Sequence, residues 1–113
     1  QCFHTAKLIA ERYNLSADEW SVSFQSRFGR EEWIKPDTEM HLARLAENGV
    51  KKIVVFCPAF VSDCLETLEE IGIRAAAHFR KHGGEELKLI PSLNDHPEWV
   101  HTLTSIIRQQ LAG

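Results

Sequence analysis

Residues 51–71, KKIVVFCPAFVSDCLETLEEI, decide the fold of this chain. Within them, residues 53–57 form a short run of apolar and mostly β-branched side chains that ends at Pro58. Such a run is typical of a strand that is covered on both faces, as in a parallel sheet. Ser62 or Asp63 can cap a helix that follows this strand. A buried strand followed by a helix predicts an α/β unit.

Helices and strands alternate along the rest of the chain as well. Periodicity, capping residues and Gly or Pro stops predict, in order, a helix at residues 1–13, a strand at 20–25, a helix from 37 or 38 to 48, a strand at 53–57, a helix from 62 or 63 to 82, a strand at 87–90 and a helix from 94 or 95 to 111. Gly72 lies in the middle of the third helix and predicts a bend or a local irregularity there. This order predicts an α/β fold with three layers, α/β/α, and a short parallel sheet joined by crossovers.

Length and composition fit one domain that spans residues 1–113. The 13 basic and 16 acidic residues give a net charge of −3, whereas nucleic-acid-binding domains usually carry a basic excess. The longest apolar run, residues 53–61, is shorter than the about 20 residues that a membrane helix needs. Three Cys at spacings that fit neither a disulfide framework nor a CxxC metal site predict reduced thiols. The chain begins at Gln1 inside an uncapped helical pattern, so we expect it to be a piece of a longer protein.

An acidic column is the most distinctive feature of the third predicted helix. On a helical wheel, Asp63, Glu66 and Glu70 fall within an arc of about 60°. The apolar stripe of the same helix lies elsewhere on the wheel, at Val61, Cys64, Leu65, Leu68 and Ile71. In a cleft, such a column could pass protons or hold a divalent cation. The alternative is an ordinary solvated face, which the dipole at the helix N-terminus favours.

Other candidate residues lie in the loops after the predicted strands, where ligands sit in open α/β sheets. Trp33 and Phe60 either pack these loops or offer an aromatic platform to a ligand. Arg27 can hold an anion or pair with a nearby Glu. His78 and His82 are spaced for a metal site, but the sequence shows no third ligand, so a surface pair is the better interpretation.

Three segments together resemble the carboxyl-terminal half of a ferrochelatase of bacterial type. They are FQSRFGREEWIKP at residues 24–36, the stretch at 51–71 quoted above, and LIPSLND at 89–95. The middle segment is the most specific, because a strand, a PxF loop and a DxxETLxE helix start follow in the family's order and spacing. The resemblance covers nearly the whole chain. It implies a chelatase-like, Rossmann-like half, the second domain of a two-domain enzyme built around a porphyrin cleft.

The resemblance also implies an activity and a set of site residues. Ferrochelatases insert ferrous iron into a porphyrin, such as protoporphyrin IX, to give haem with release of two protons. The family's active-site Glu matches Glu66, which is then the catalytic residue, and its metal-carrying acid column matches Glu66 and Glu70. The positions implied to bind the porphyrin substrate are Trp33, Phe60, Gln25, Ser26, Arg27, Asp63 and Cys64.

Departures from the family pattern are visible at three places. Arg74 stands at the next position of the acid column, and Cys64 stands where some members have His. The family's catalytic His lies in a motif upstream of Gln1, and none of the six His residues here occupies that position. We therefore expect this chain to have little or no chelatase activity alone.

Cofactors, partners and location follow from the same resemblance. Ferrous iron would be a substrate, no cofactor would be tightly bound, and this segment lacks the Cys cluster that holds an iron–sulfur centre in some members. The expected partners are the porphyrin and the missing amino-terminal half of the same protein, without nucleic acid. The expected location is the cytoplasm, with peripheral association at the inner membrane allowed. Three alternatives stay open: a related chelatase that loads cobalt or nickel into another tetrapyrrole, a non-catalytic half that binds porphyrin, and a flavodoxin-like domain with a solvated acidic face.

Overall fold

Two short parallel strands form the sheet. The computed structural model describes residues 1–25 and 36–113, and the sheet in these ranges consists of β1 (Lys52–Val55) and β2 (Glu86–Leu89). The strands are in register from Lys52 opposite Glu86 to Val55 opposite Leu89. Parallel neighbours need a long crossover, and here the crossover is helical. The α/β class predicted from the sequence is confirmed.

The crossover is one irregular helix. The regular helices are α1 (Cys2–Arg12), α2 (Thr38–Glu47), α3 (Leu65–Leu68), α4 (Ala76–Lys81) and α5 (Pro97–Ala112). Between α3 and α4, residues Glu70–Ala75 form a π-helical stretch, called the π-segment below. There the Arg74 N–H donates to the carbonyl of Glu69, five residues back, at 2.8 Å. The irregularity predicted around Gly72 is therefore confirmed.

The hydrophobic core lies where α2, the π-segment, α4 and β2 meet. It consists of small and branched apolar side chains around one aromatic ring: Leu42, Ala46, Ile71, Ala75, Ala76, Phe79 and Leu87. Phe79 is fully buried, and the backbone of Gly84 lies directly against its ring. Burial of these apolar side chains holds the irregular helix against the sheet and so fixes the position of its first turn.

The strand predicted at residues 20–25 is not formed in the described part of the chain. Phe24 makes a single parallel bridge with Asp37 there. Its N–H donates to the Pro36 carbonyl at 2.9 Å, and its carbonyl accepts from the Thr38 N–H at 3.1 Å. The Phe24 ring instead packs on helix α1, where it meets the Phe3 ring edge-on at 5.7 Å. The predicted alternation of buried and exposed side chains is absent as well, because Ser23 and Gln25 are half-buried like Val22 and Phe24. A strand needs a partner along its length.

Helix α5 buries none of its residues. The periodicity predicts an inner face made of Trp99, Leu103, Ile106, Ile107 and Leu111. The exposed fraction is nevertheless 39% at Leu103 and 82% at Leu111. This prediction is wrong for the chain as described, because the two-stranded sheet offers α5 no apolar face. The molecule is correspondingly extended, with a radius of gyration of 16.2 Å, against about 13 Å for a compact domain of this length.

Two further predictions from the sequence concern the state of the three cysteines and the presence of a membrane-spanning helix. Cys2 is exposed, Cys57 and Cys64 are half-buried, and all three are free thiols, as predicted. Across residues 1–25 and 36–113, no helix has both the length and the apolar character that crossing a membrane requires.

Candidate active site

A clasp between two loops fixes the start of the irregular helix. The Asp63 carboxylate accepts from the Asn94 side-chain amide at 2.9 Å and from the Ser92 N–H at 3.3 Å. In return, the Asp63 N–H donates to the Asn94 side-chain oxygen at 2.8 Å. The hydrogen bond from Asn94 is the main reason why the pKa of Asp63 lies below its ordinary value. The loop after β1 is thereby tied to the loop after β2.

Thr67 holds the first turn together from inside. Its side chain is fully buried, and its hydroxyl accepts from the Cys64 N–H at 3.0 Å. The same hydroxyl lies 3.0 Å from an oxygen of Asp63. One of the N–H donors that a helix start leaves without a partner is thus satisfied by a side chain. This arrangement gives Leu65 and Glu66, the two residues between Cys64 and Thr67, a hydrogen-bonded base.

Glu66 projects from this first turn with its side chain half-buried. A hydrogen bond from the Cys64 side chain, helped by the backbone N–H of Glu66 itself, lowers the pKa of the Glu66 carboxyl below its ordinary value. Glu66 is therefore ionised at neutral pH and offers oxygen acceptors at the helix start. Its carbonyl oxygen accepts a hydrogen bond from the side-chain amide of Gln25.

Glu70 is held from two sides at the start of the π-segment. Its Oε2 accepts from the Gln25 amide at 2.8 Å, and its Oε1 lies 3.5 Å from a guanidinium nitrogen of Arg74. Arg74 also lies 4.0 Å from Glu69. The Glu70 side chain is 31% exposed, so one edge of the carboxylate still faces solvent. Arg74, which stands at the next position of the family's acid column, is thus the positively charged partner of Glu70.

The predicted column of three carboxylates is wrong in one member. Asp63 precedes the helix, which begins at Leu65, and its oxygens are committed to the loop clasp. The predicted apolar stripe is also wrong, because Leu65 is 72% exposed and Leu68 is 54% exposed, whereas Ile71 is buried. A wheel with 3.6 residues per turn cannot describe a helix that starts late and widens into a π-helix. Glu66 and Glu70 remain as the acidic pair.

A pocket of about 220 Å³ lies beside Glu70, whereas Glu66 is not among its lining residues. Its walls come from the stretch before α2, from α2 itself and from the π-segment, and they are lined by Gln25, Asp37, Thr38, Glu39, Glu70, Ile71, Arg74 and Ala75. Within the described ranges, no group of three or more His, Cys, Asp or Glu side chains is arranged to hold a metal ion.

The ferrochelatase family model matches residues 1–111. The chain belongs to the ferrochelatase family. Among its relatives, the ferrochelatase of Pseudomonas fluorescens strain Pf0-1 is 59% identical over 106 residues, which are 94% of this chain and 31% of the relative. The ferrochelatase of Coxiella burnetii strain Dugway 5J108-111 is 52% identical over 111 residues, which are 98% of this chain and 31% of the relative. The chain thus spans about a third of the length of these curated relatives.

The structure describes only some of the residues that the ferrochelatase resemblance implies to bind the porphyrin. Trp33, Ser26 and Arg27 lie outside the described residues. Phe60 is half-buried in the loop after β1, and its N–H donates to the Cys57 carbonyl at 3.1 Å. The half-burial leaves part of that ring available to a ligand.

The histidine pair behaves as a surface pair. The rings of His78 and His82 lie 4.5 Å apart between centroids. His78 lies 3.1 Å from the Glu39 carbonyl, and His82 lies 3.0 Å from a Glu47 oxygen. These contacts tie α4 and its end to α2, which accounts for both side chains without a metal.

Sequence reasoning missed the roles of Thr67, Asn94 and Ser92. The ETL motif contains Thr67, but nothing in its spacing says that the hydroxyl turns inward. Asn94 has a positive φ of 50°, which Asn tolerates better than most residues, and Asn94 was visible only as a possible helix cap. Its partner, Asp63, is 31 residues away in the chain. That distance removes any local signal for the clasp.

Proposed function

We propose that this chain forms the carboxyl-terminal part of a lyase that inserts ferrous iron into protoporphyrin IX or a related porphyrin, late in haem biosynthesis. The carrying observation is the ferrochelatase family match over residues 1–111, with its DxxETLxE motif at the start of a braced helix. Glu66 lies in that motif as a half-buried, ionised carboxylate. The proposal therefore assigns the chemistry to Glu66.

Metallation of a porphyrin requires that two pyrrole protons leave and that the incoming cation lose its water. Carboxylate oxygens bind a hard or borderline divalent cation and release it again more readily than soft thiolates do. The lowered pKa of Glu66 favours this transient-ligand role over net retention of a proton. Burial, with Asp63 and Cys64 nearby, raises the pKa of Cys57, so this neighbouring thiol stays protonated and does not trap the metal.

Glu70 is the second carboxylate of the same helix that would pass a cation or a proton. Because Arg74 and Gln25 each engage one of its oxygens, Glu70 is oriented toward the pocket of about 220 Å³. A cation or proton that reaches Glu66 along this side would pass Glu70 first. Arg74 ends the acidic path, because its positive charge repels a divalent cation.

The substrate wall and the missing partner complete the proposal. Phe60 and Trp33 would hold the macrocycle by stacking, with Ser26, Arg27 and Cys64 around it as the family resemblance implies. The rest of the longer protein would supply the other wall and the proton-accepting His. Iron enters as a substrate, with no tightly bound cofactor and no iron–sulfur centre in this segment. The proposed location is the cytoplasm, with peripheral contact to the inner membrane.

A hybrid enzyme tests this function. The ferrochelatase of Pseudomonas fluorescens would be made with its 106 matching residues replaced by those of this chain, called the hybrid below. We expect the hybrid to convert protoporphyrin IX and ferrous iron to haem under anaerobic conditions. A folded hybrid that binds porphyrin but inserts no metal would contradict the proposal and favour the non-catalytic alternative. A clear preference for cobalt or nickel over iron would favour a related chelatase.

A further inference from the structure

We propose that Gln25 is a positioning residue that sets Glu66 and Glu70 from behind, and not a group that contacts the porphyrin. This inference rests on the proposed function and adds to it the residue that orients the acidic pair. It also departs from the substrate-binding role that the family resemblance implies for Gln25. Four features of the structure carry it, namely a pinned backbone, a fully used amide nitrogen, a junction in the helix and a balanced charge.

The backbone just before Gln25 is held by several contacts. The preceding residue, Phe24, donates to the Pro36 carbonyl at 2.9 Å and accepts from the Thr38 N–H at 3.1 Å. The Phe24 ring packs edge-on against Phe3 at 5.7 Å. In addition, the Ser23 and Thr38 hydroxyls lie 2.9 Å apart. These contacts place Gln25 in a defined position before its side chain makes any bond.

The amide nitrogen of Gln25 has no hydrogen left for a ligand. It donates to the carbonyl oxygen of Glu66 and to Oε2 of Glu70, the latter at 2.8 Å. A carboxamide nitrogen carries two hydrogens, and these two acceptors take both. Both partners accept only, so the nitrogen rather than the oxygen must face them. A porphyrin carboxylate would find no donor on this nitrogen.

The two acceptors lie on either side of the place where the helix changes type. Glu66 belongs to α3, which has only four residues, and Glu70 opens the π-segment. At this junction the amide of Gln25 donates to the backbone carbonyl of Glu66. By bonding on both sides, Gln25 holds the junction and with it the direction in which Glu66 projects.

The neutral charge of the Gln25 amide matters as well as its position beside Glu70. Glu70 already faces the Arg74 guanidinium at 3.5 Å through its other oxygen. A neutral amide orients the carboxylate without adding a second positive charge, so a cation can still approach. Reacting groups displaced by about 1 Å lose roughly a hundredfold in rate, which makes such a bracket consequential.

The test compares two Gln-to-Met substitutions in the hybrid. Gln25→Met keeps the length of the side chain and removes the amide, whereas Gln109→Met makes the same change on exposed α5 as a matched control. We expect Gln25→Met to lower kcat by about tenfold or more, because a hydrogen bond to a charged group is lost. The KM for porphyrin should stay within about twofold of the Gln109→Met value. A raised porphyrin KM with unchanged kcat would overturn the proposal and restore the substrate-binding role.

A double-mutant cycle separates positioning from general packing. In a Glu70→Gln background, Gln25→Met should cost at most about threefold, because part of its effect runs through Glu70. Fully additive losses would contradict the coupling. Both results are differences between variants, so they are distinguishable from failure of the unsubstituted hybrid to insert iron, which would bear on the proposed function alone.

A measurement that needs no activity covers the case of an inactive hybrid. In the 113-residue chain, backbone amide hydrogen exchange would be followed across residues 66–75. Gln25→Met should speed exchange there relative to Gln109→Met, since the junction loses its bracket. Equal exchange in the two variants would overturn the proposal.

Discussion

Asp63 and Glu66 are three residues apart, both have lowered pKa values, and the causes differ. The pKa of Asp63 falls because Asn94, Thr67 and Ser92 donate to it across the loop clasp. The pKa of Glu66 falls because of the Cys64 side chain and its own N–H, within a single turn. The oxygens of Asp63 therefore accept hydrogen bonds from the loop clasp, whereas the contacts that lower the pKa of Glu66 come from its own helix turn.

Glu66→Gln in the hybrid should lower turnover by about a hundredfold or more, because it removes the ionised oxygen that accepts a proton or the metal. His78→Ala is the control, since His78 contacts only the Glu39 carbonyl and the neighbouring His82 ring among the contacts described. That variant should stay within about twofold of the hybrid. Rates of haem formation under anaerobic conditions measure both effects. Equal losses would show that the site is assigned to the wrong residue.

The Asp63 clasp predicts a loss of stability in acid. The folded-state pKa of Asp63 lies below the ordinary value of 3.8, so its contribution is fully present above that value. As the pH falls through the folded-state pKa, the carboxyl is protonated and the contribution disappears. Urea unfolding of the chain between pH 7 and pH 2 should therefore show a smaller acid-dependent decrease for Asp63→Asn than for the unsubstituted chain.

Asp18 provides the matched control for that titration. Its pKa is also lowered, but by a local hydrogen bond from Ser16 in an exposed turn, so Asp18→Asn should cost little stability at neutral pH. If Asp63→Asn and Asp18→Asn had the same free energy of unfolding at pH 7, the clasp would not brace the fold.

The irregular helix is the element that links the core to the acidic pair. Its C-terminal part, α4, supplies the buried Phe79, while its N-terminal part carries Glu66 and Glu70. The π-segment, which Glu70 opens, lies between α3 and α4. Because each π turn holds more residues than an α turn, this segment rotates the preceding residues about the helix axis. Packing at one end of this element therefore determines direction at the other.

Gly84→Ala tests how tightly that element is anchored. A methyl group at Gly84 would stand 2.2 Å from a ring carbon of Phe79, and the φ of Gly84 lies outside the left-handed region, so the effect is purely steric. We expect a loss of about 1–3 kcal/mol in the free energy of unfolding, the usual cost of overpacking. Urea denaturation of the chain measures it.

Gly72→Ala is the control within the same element. A methyl group there would meet Leu89 at 3.4 Å, which is an ordinary contact. Ala is also the better helix former, so this variant should be neutral or slightly stabilising. A Gly72→Ala variant as damaged as Gly84→Ala would contradict the proposed anchoring at Phe79.

The molecule as a whole is extended and leaves apolar side chains uncovered. Its principal extents are 53, 36 and 24 Å. Exposed apolar residues lie along both α1 and α5, including Phe3, Leu8, Ile106 and Leu111. The pocket beside Glu70 holds about 220 Å³, which is small for a macrocycle.

The 113-residue chain alone should show less than about one hundredth of the hybrid's rate of iron insertion, because it spans only about a third of the length of its curated relatives. Haem formation by equal molar amounts of the chain and of the hybrid makes the comparison. Insertion by the isolated chain at the hybrid's rate would refute the need for a second half.

The sequence by itself determined the elements whose signals are local. The apolar run at 53–57, the Asn48-Gly49 stop and Pro97 placed β1, α2 and α5 correctly within a few residues, since capping and strand burial depend on near neighbours. Gly72 marked the irregular stretch, and the DxxETLxE motif marked Glu66 and Glu70.

The contacts and the burial of the residues in these helices and strands depend on the tertiary structure. It removed Asp63 from the acidic column, exposed Leu65, and reduced the expected strand at 20–25 to a single bridge at Phe24. It also brought Gln25 to Glu70 across 45 positions of the chain. A wheel assumes one helical pitch and says nothing about distant partners. Here a π-helical widening and long-range hydrogen bonds set the outcome, because both depend on packing between segments that are far apart in sequence.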